Sequence, residues 1–352
     1  MIQSLTASSL YDGETVRGAT TITWADGVIV EIRDAQSTER RDAALVAPGY
    51  LDLQVNGIGD QRVVDGDILG ISARLRTHGV TSWLPTIPTQ HPGFYTNDTI
   101  TALLANIEMP AAVPQAMGLH FEGPLLGGRP GAHHASFFDV ERDVIDILAL
   151  GRMVTLAPEH PLAERATRQL ADQGVLVSLG HSSAGSEQIH EFVRNGGRCA
   201  THVFNAMTGI DHVDGGVALD VLTDSRLHFS VIADLQHVTA RALRLAWMAA
   251  GRRMFVVSDL VSIEPSSEWN SAARLRGAVV GVDEGIRNLV QKCDIPLADA
   301  LGMVTRVPAD LLGVNDRGRL HPGCRADIVL LDTDLRVNGV VCNGFPASDR
   351  SV

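Results

Sequence analysis

From residue 50 to residue 258 the chain repeats one pattern: a short apolar run, a polar turn, then a stretch whose apolar residues recur at helical spacing. Apolar runs of that length suit strands buried on both faces, and the amphipathic stretches suit crossover helices, so a parallel sheet is predicted. Eight runs stand out: YLDLQV (50–55), VTSWLP (80–85), AMGLHFE (116–122), RMVTLA (152–157), VLVSLG (175–180), RCATHV (198–203), HFSVIA (228–233) and RMFVVS (253–258). That number matches a closed (β/α)₈ TIM-type barrel, with an open doubly wound sheet as the alternative. DILGISARLRTHG (67–79), ERATRQLADQG (164–174) and TARALRLAWMAAG (239–251) are predicted helices that stop at Gly. EGIRNLVQKC (284–293) and LADALGMVTRVPADLLG (297–313) are predicted to close the barrel.

The two ends lack helical period. Asp12-Gly13 and Asp26-Gly27 are hairpin signals at one end. His321-Pro322-Gly323 and Asn338-Gly339 are turn signals at the other. Residues 1–48 and 315–352 are therefore expected to pair into one small β-sandwich domain beside a barrel spanning 49–314.

Composition narrows the function. The 352 residues are 45% hydrophobic and 20% charged, as in globular chains. A net charge of −12 argues against a nucleic-acid partner, since phosphate binding depends on clustered Lys and Arg, and any anionic substrate must find local cations. Cys199, Cys293, Cys324 and Cys342 form no C-x-x-C pair, which suits a reducing compartment. The start, MIQSLTASSLYDGE, has no basic stretch leading into an apolar one, and no apolar run could span a bilayer, so a cytoplasmic location without membrane contact is expected.

Barrel active sites lie at the carboxyl ends of the strands. At or just past the predicted ends stand Gln54, Asn56, Thr86, Glu122, Glu159, His181, His202, Asp234 with His237, and Asp259. Buried polar groups there are costly unless paired. Glu122, His181 and His202 fall on the third, fifth and sixth strands. Two imidazoles, one carboxylate and an open position form a catalytic zinc set, whereas any one of them alone could be an ordinary hydrogen-bonded residue. Asp259 could take a proton from water and deliver it to a leaving nitrogen, or it could be a turn residue. In the Gly-rich loop LGGRPGAHH (126–134), His133 is a candidate oxyanion donor, and Glu159 suits a structural hydrogen bond.

The series APGYLDLQVNG (47–57), GVTSWLPTIPT (79–89), GLHFEGPLL (118–126), GAH (131–133), TLAPE (155–159), GHSSA (180–184), THVFNAM (201–207), IADLQHV (232–238), VSDLV (257–261) and EGIRNLV (284–290) resembles the N-acetylglucosamine-6-phosphate deacetylases of the amidohydrolase superfamily. The resemblance implies hydrolysis of an amino sugar's N-acetyl group to acetate and the free amine. It implies Glu122, His181 and His202 as ligands of one divalent ion, zinc, and Asp259 as the catalytic aspartate. His133, Asn205, Ala206 and His237 are implied substrate contacts, His237 across a homodimer interface. Where many members carry His-x-His this chain has Gln54-Val55-Asn56, as in a single-metal branch, and Gln54 would hold water rather than an ion. The Arg that usually follows FNAM is missing from TGIDHVDGG (208–216), leaving His212 and, farther on, Arg276 as substitute cations. That gap keeps a second substrate in view: an unphosphorylated amino sugar, a sugar-bearing metabolite or an N-acyl amino acid.

Overall fold

A computed structural model of the chain describes residues 2–262 and 277–346. Every predicted barrel run contains a strand: Tyr50–Gly59, Val80–Pro88, His120–Glu122, Met153–Leu156, Leu176–Leu179, Cys199–Ala200, His228–Ile232 and Met254–Val257. Strands that are neighbours in sequence are neighbours in the sheet and run parallel.

The eighth strand closes the ring. Met254–Val257 pairs with the seventh strand, while its continuation Leu260–Ser262 pairs with the first, Leu260 opposite Val55. An open sheet is thereby excluded. The buried carboxylate of Asp52 fastens the seam, accepting from Ser258 N at 3.1 Å and Gln54 N at 3.3 Å.

Alternation along the strands separates two apolar layers. Outward-facing Tyr50, Val55, Trp83, Phe121 and Phe229 pack under the helices. Inward-facing Leu51, Leu53, Leu84, Met153, Leu176 and Phe255 pack with Val307 and Leu312. Met153 and Leu176 begin their strands, so this inner layer fills the amino end of the barrel. Each such side chain contributes roughly 1.5–3 kcal/mol on burial. Above it the interior turns polar: His120 Nε2 lies 2.8 Å from Thr155 Oγ1, which lies 2.7 Å from Thr201 Oγ1. The barrel is thus sealed below and polar towards its carboxyl end.

The predicted helices form at Ile68–Leu75, Ala163–Asp172, Ala240–Ala250 and Val282–Cys293. The single closing helix expected over 297–313 is instead two, Leu297–Gly302 and Arg306–Leu312. Pro308 explains the break: it lacks an N–H, which is tolerated in a first turn and not in a helix interior.

Both ends of the chain enter one eight-stranded sheet, in which Ile328–Leu331 runs antiparallel to Ala43–Pro48. Asp26-Gly27 turns tightly there, with φ of 51° and 80°. Asn338-Gly339 makes no turn, contrary to expectation, and lies inside the strand Val337–Cys342. The chain reverses before it, where Asp332 Oδ1 accepts from Asp334 N and Arg336 N, and after it at Asn343-Gly344, both with positive φ. Among the described residues no helix is long and apolar enough to cross a membrane.

Candidate active site

Glu122 ends the third strand, and His181, His202 and Asp259 each stand just beyond theirs, in left-handed backbone with φ of 51°, 34° and 52°. Non-glycine residues pay of order 1 kcal/mol or more for that conformation, which is tolerated where function needs a side chain re-aimed. All four side chains are buried at the barrel mouth.

They converge. Glu122 Oε1 lies 3.2 Å from His181 Nε2 and 3.0 Å from His202 Nε2, and it accepts from Gln54 Nε2 at 2.7 Å. His181 Nδ1 is 3.2 Å from the Pro130 carbonyl, which can only accept, so the ring proton sits on Nδ1. In the metal-binding form of the ring, whose single proton is on Nδ1, the lone pair of Nε2 turns onto a carboxylate oxygen. Two acceptors facing each other repel, and a cation between them converts repulsion into ligation. His202 Nδ1 is buried and unpartnered among the described residues. This donor set fits a divalent ion.

His133 differs. Its ligand atom also lies within 4.8 Å of those of Glu122 and His181, which makes Glu122, His133 and His181 a competing set. However, His133 Nδ1 accepts the Thr89 N–H at 3.2 Å, so a neutral ring carries its proton on Nε2, 3.6 Å from Glu122 Oε2. Burial pushes its pKa down to about 4, which keeps the ring neutral. A nitrogen that bears a proton donates a hydrogen bond and cannot bind metal.

Asp259 Oδ1 accepts from Asn56 Nδ2 at 2.9 Å and Gln54 Nε2 at 3.1 Å. Burial, and next the negative charge of Glu122, raise its pKa well above the usual carboxylate range. A carboxyl group with raised proton affinity suits a proton carrier.

One cavity of about 630 Å³ is lined by Glu122, His133, His181, His202, Asn205, Ala206, His237 and Asp259, and also by Asn56, Thr89 and Arg129. The structure thus gathers the sequence-predicted residues around one space, Arg276 lying outside the described residues. Ala206 has φ of 48° and its carbonyl accepts from Ser182 N, while His237 is oriented by Asp234 Oδ2, 2.8 Å from its Nδ1. Glu159 accepts from Gly128 N at 3.0 Å, Ser183 N at 2.6 Å and Ser182 Oγ at 2.7 Å, tying two mouth loops together. A Cβ on Gly127 would lie 2.2 Å from Glu159 Oε1, so glycine is required for that approach. Sequence reasoning missed Asn56 and Gln54 as amide donors to Asp259, Thr89 as the group that fixes His133, and Arg129. Gln54 and Asn56 were visible as strand-end amides but not as contacts, and Arg129 had a usable signal as a cation in the same Gly-rich loop as His133.

The amidohydrolase family model matches residues 45–346. The N-acetylgalactosamine-6-phosphate deacetylase of Escherichia coli O157:H7 is 32% identical, covering 92% of this chain and 93% of its own. The human N-acetylglucosamine-6-phosphate deacetylase is 31% identical, covering 87% and 84%. Among solved structures, a mutant N-acetyl-D-glucosamine-6-phosphate deacetylase from Mycobacterium smegmatis, in complex with N-acetyl-D-glucosamine-6-phosphate, superposes with a TM-score of 0.89 at 26% identity, over 98% of this chain and 99% of that one.

Proposed function

The chain belongs to the amidohydrolase family, in the branch of the N-acetylhexosamine-6-phosphate deacetylases, and from that premise we propose how its residues divide the work. It is an amino sugar deacetylase: water and the N-acetyl sugar give acetate and the free amine. The relatives' names support a 6-phosphate substrate, of glucosamine or galactosamine type, over the unphosphorylated alternatives. Amidohydrolases are metal-dependent, and in our proposal Glu122, His181 and His202 hold a single divalent ion, zinc by the chemistry of two imidazoles and a carboxylate. When bound, that ion supplies Lewis acidity to the amide carbonyl and the attacking water.

The chain's own groups do the rest. Asp259 accepts a proton from water as its oxygen attacks the carbonyl carbon; Oδ1 is engaged by two amides, so the proton rides on Oδ2. His133 donates its Nε2 proton in a hydrogen bond to the carbonyl oxygen as negative charge develops there. Asp259 then returns its proton to the nitrogen, the C–N bond breaks, and acetate departs. Asn205, the Ala206 backbone and His237 border the sugar. The reading extends to a homodimer, which rests on the resemblance, and to a reducing, cytoplasmic setting, which rests on four buried free thiols.

The observation that carries the reading is the convergence of Glu122, His181 and His202 on one point in the cavity that holds Asp259. Acetate release from N-acetylglucosamine and N-acetylgalactosamine, each with and without a 6-phosphate, tests it. A 6-phosphate should be the best substrate; release from none of the four sugars would refute the function.

A further inference from the structure

We infer that Arg129 is the cation that grips the substrate's phosphate, an inference that rests on the deacetylase function above. A phosphate dianion entering a chain of net charge −12 needs a local positive group. The stretch after THVFNAM, residues 208–216, offers neither Lys nor Arg. His212 does not line the cavity. Of the described lining residues, Arg129 is the one Lys or Arg.

Its surroundings leave its charge available. Arg129 is exposed, and among the described residues its guanidinium makes no ion pair and no hydrogen bond. Its backbone, by contrast, is pinned on both sides. Gly128 N donates to Glu159 Oε1 at 3.0 Å, and the Pro130 carbonyl accepts from His181 Nδ1 at 3.2 Å. One residue earlier, Gly127 N donates to the His181 carbonyl at 3.1 Å. Pro130 also restricts Arg129 to extended backbone. The side chain is thus a long fork rooted on a fixed loop beside a proposed metal ligand, able to swing to the far end of a bound hexosamine. Guanidinium groups pair with phosphate oxygens through two parallel hydrogen bonds, a geometry Lys cannot copy.

Steady-state kinetics of the parent, Arg129→Ala and Arg129→Lys on N-acetylglucosamine 6-phosphate and on N-acetylglucosamine test this. The parent should favour the 6-phosphate, and Arg129→Ala should lower that preference in kcat/KM about tenfold or more, as expected for a lost charge-assisted contact. The loss should lie in KM for the phosphorylated sugar, with Arg129→Lys between the two. An unchanged preference in Arg129→Ala, a parent without preference, or an equal loss on both sugars would overturn the assignment while leaving the deacetylase function standing. A parent that releases acetate from neither sugar would overturn both.

Discussion

Gln54 Nε2 donates to Glu122 Oε1 at 2.7 Å, on the same oxygen that faces the Nε2 atoms of two histidines. The same amide reaches Asp259 Oδ1 at 3.1 Å, so one neutral side chain separates two buried carboxylates. Gln54 therefore holds Glu122 Oε1 towards the two histidines and, with Asn56, leaves Asp259 Oδ2 for the proton.

Replacing Gln54 by Leu keeps the bulk and removes the donor. Leaving buried charged groups under-paired costs about 1–3 kcal/mol, so the variant should unfold at lower urea concentration and lose activity. The urea midpoint and kcat should both fall; a variant with parental values for both would show that the amide is incidental.

His133→Ala should lower kcat about 10²- to 10³-fold, the usual loss for an oxyanion donor, and keep its metal. His181→Ala should lose the metal itself. Metal content by elemental analysis distinguishes the roles, and a metal-free His133→Ala would favour Glu122, His133 and His181 as the ligand set.

How far these roles could be foreseen depends on how local their causes are. The barrel was legible because each strand's burial is written as an apolar run, and Glu122, His181 and His202 because a strand end fixes a side chain's height. Gln54 was legible as a position and not as a contact, since Asp259 lies 205 residues away and only the closure at Leu260 and Val55 brings them together. The proton position on His133 depends on one backbone N–H, that of Thr89, from another strand's end. Asn338-Gly339 misled because a strong turn pair can be overruled by neighbours, here Asp332 and Asn343-Gly344, that turn the chain instead.

Asp283 anchors the helix Val282–Cys293 to the turn Arg76–His78 that follows the helix Ile68–Leu75, with Oδ1 2.8 Å from His78 Nδ1 and Oδ2 2.9 Å from Arg287 Nη1. Burial alone would raise its pKa, but His78 and then Arg287 outweigh it and the folded value is lowered. A lowered carboxylate stabilises the fold above its unfolded pKa of about 3.9, and that contribution fades as pH falls towards the folded value. Asp283→Asn should thus be less stable than the parent at neutral pH, with the gap narrowing below about pH 4. Thermal melts from pH 3 to pH 7 would show this, and a gap that widened in acid would contradict it.

The proposal that Asp259 moves the proton beside an ion held by Glu122, His181 and His202 is tested most directly in Asp259→Asn, by acetate release from an N-acetylhexosamine 6-phosphate alongside metal content. Acetate release should fall about 10³-fold or more, with metal retained at the parent's stoichiometry. An Asp259→Asn protein that deacetylates at the parental rate would contradict the account.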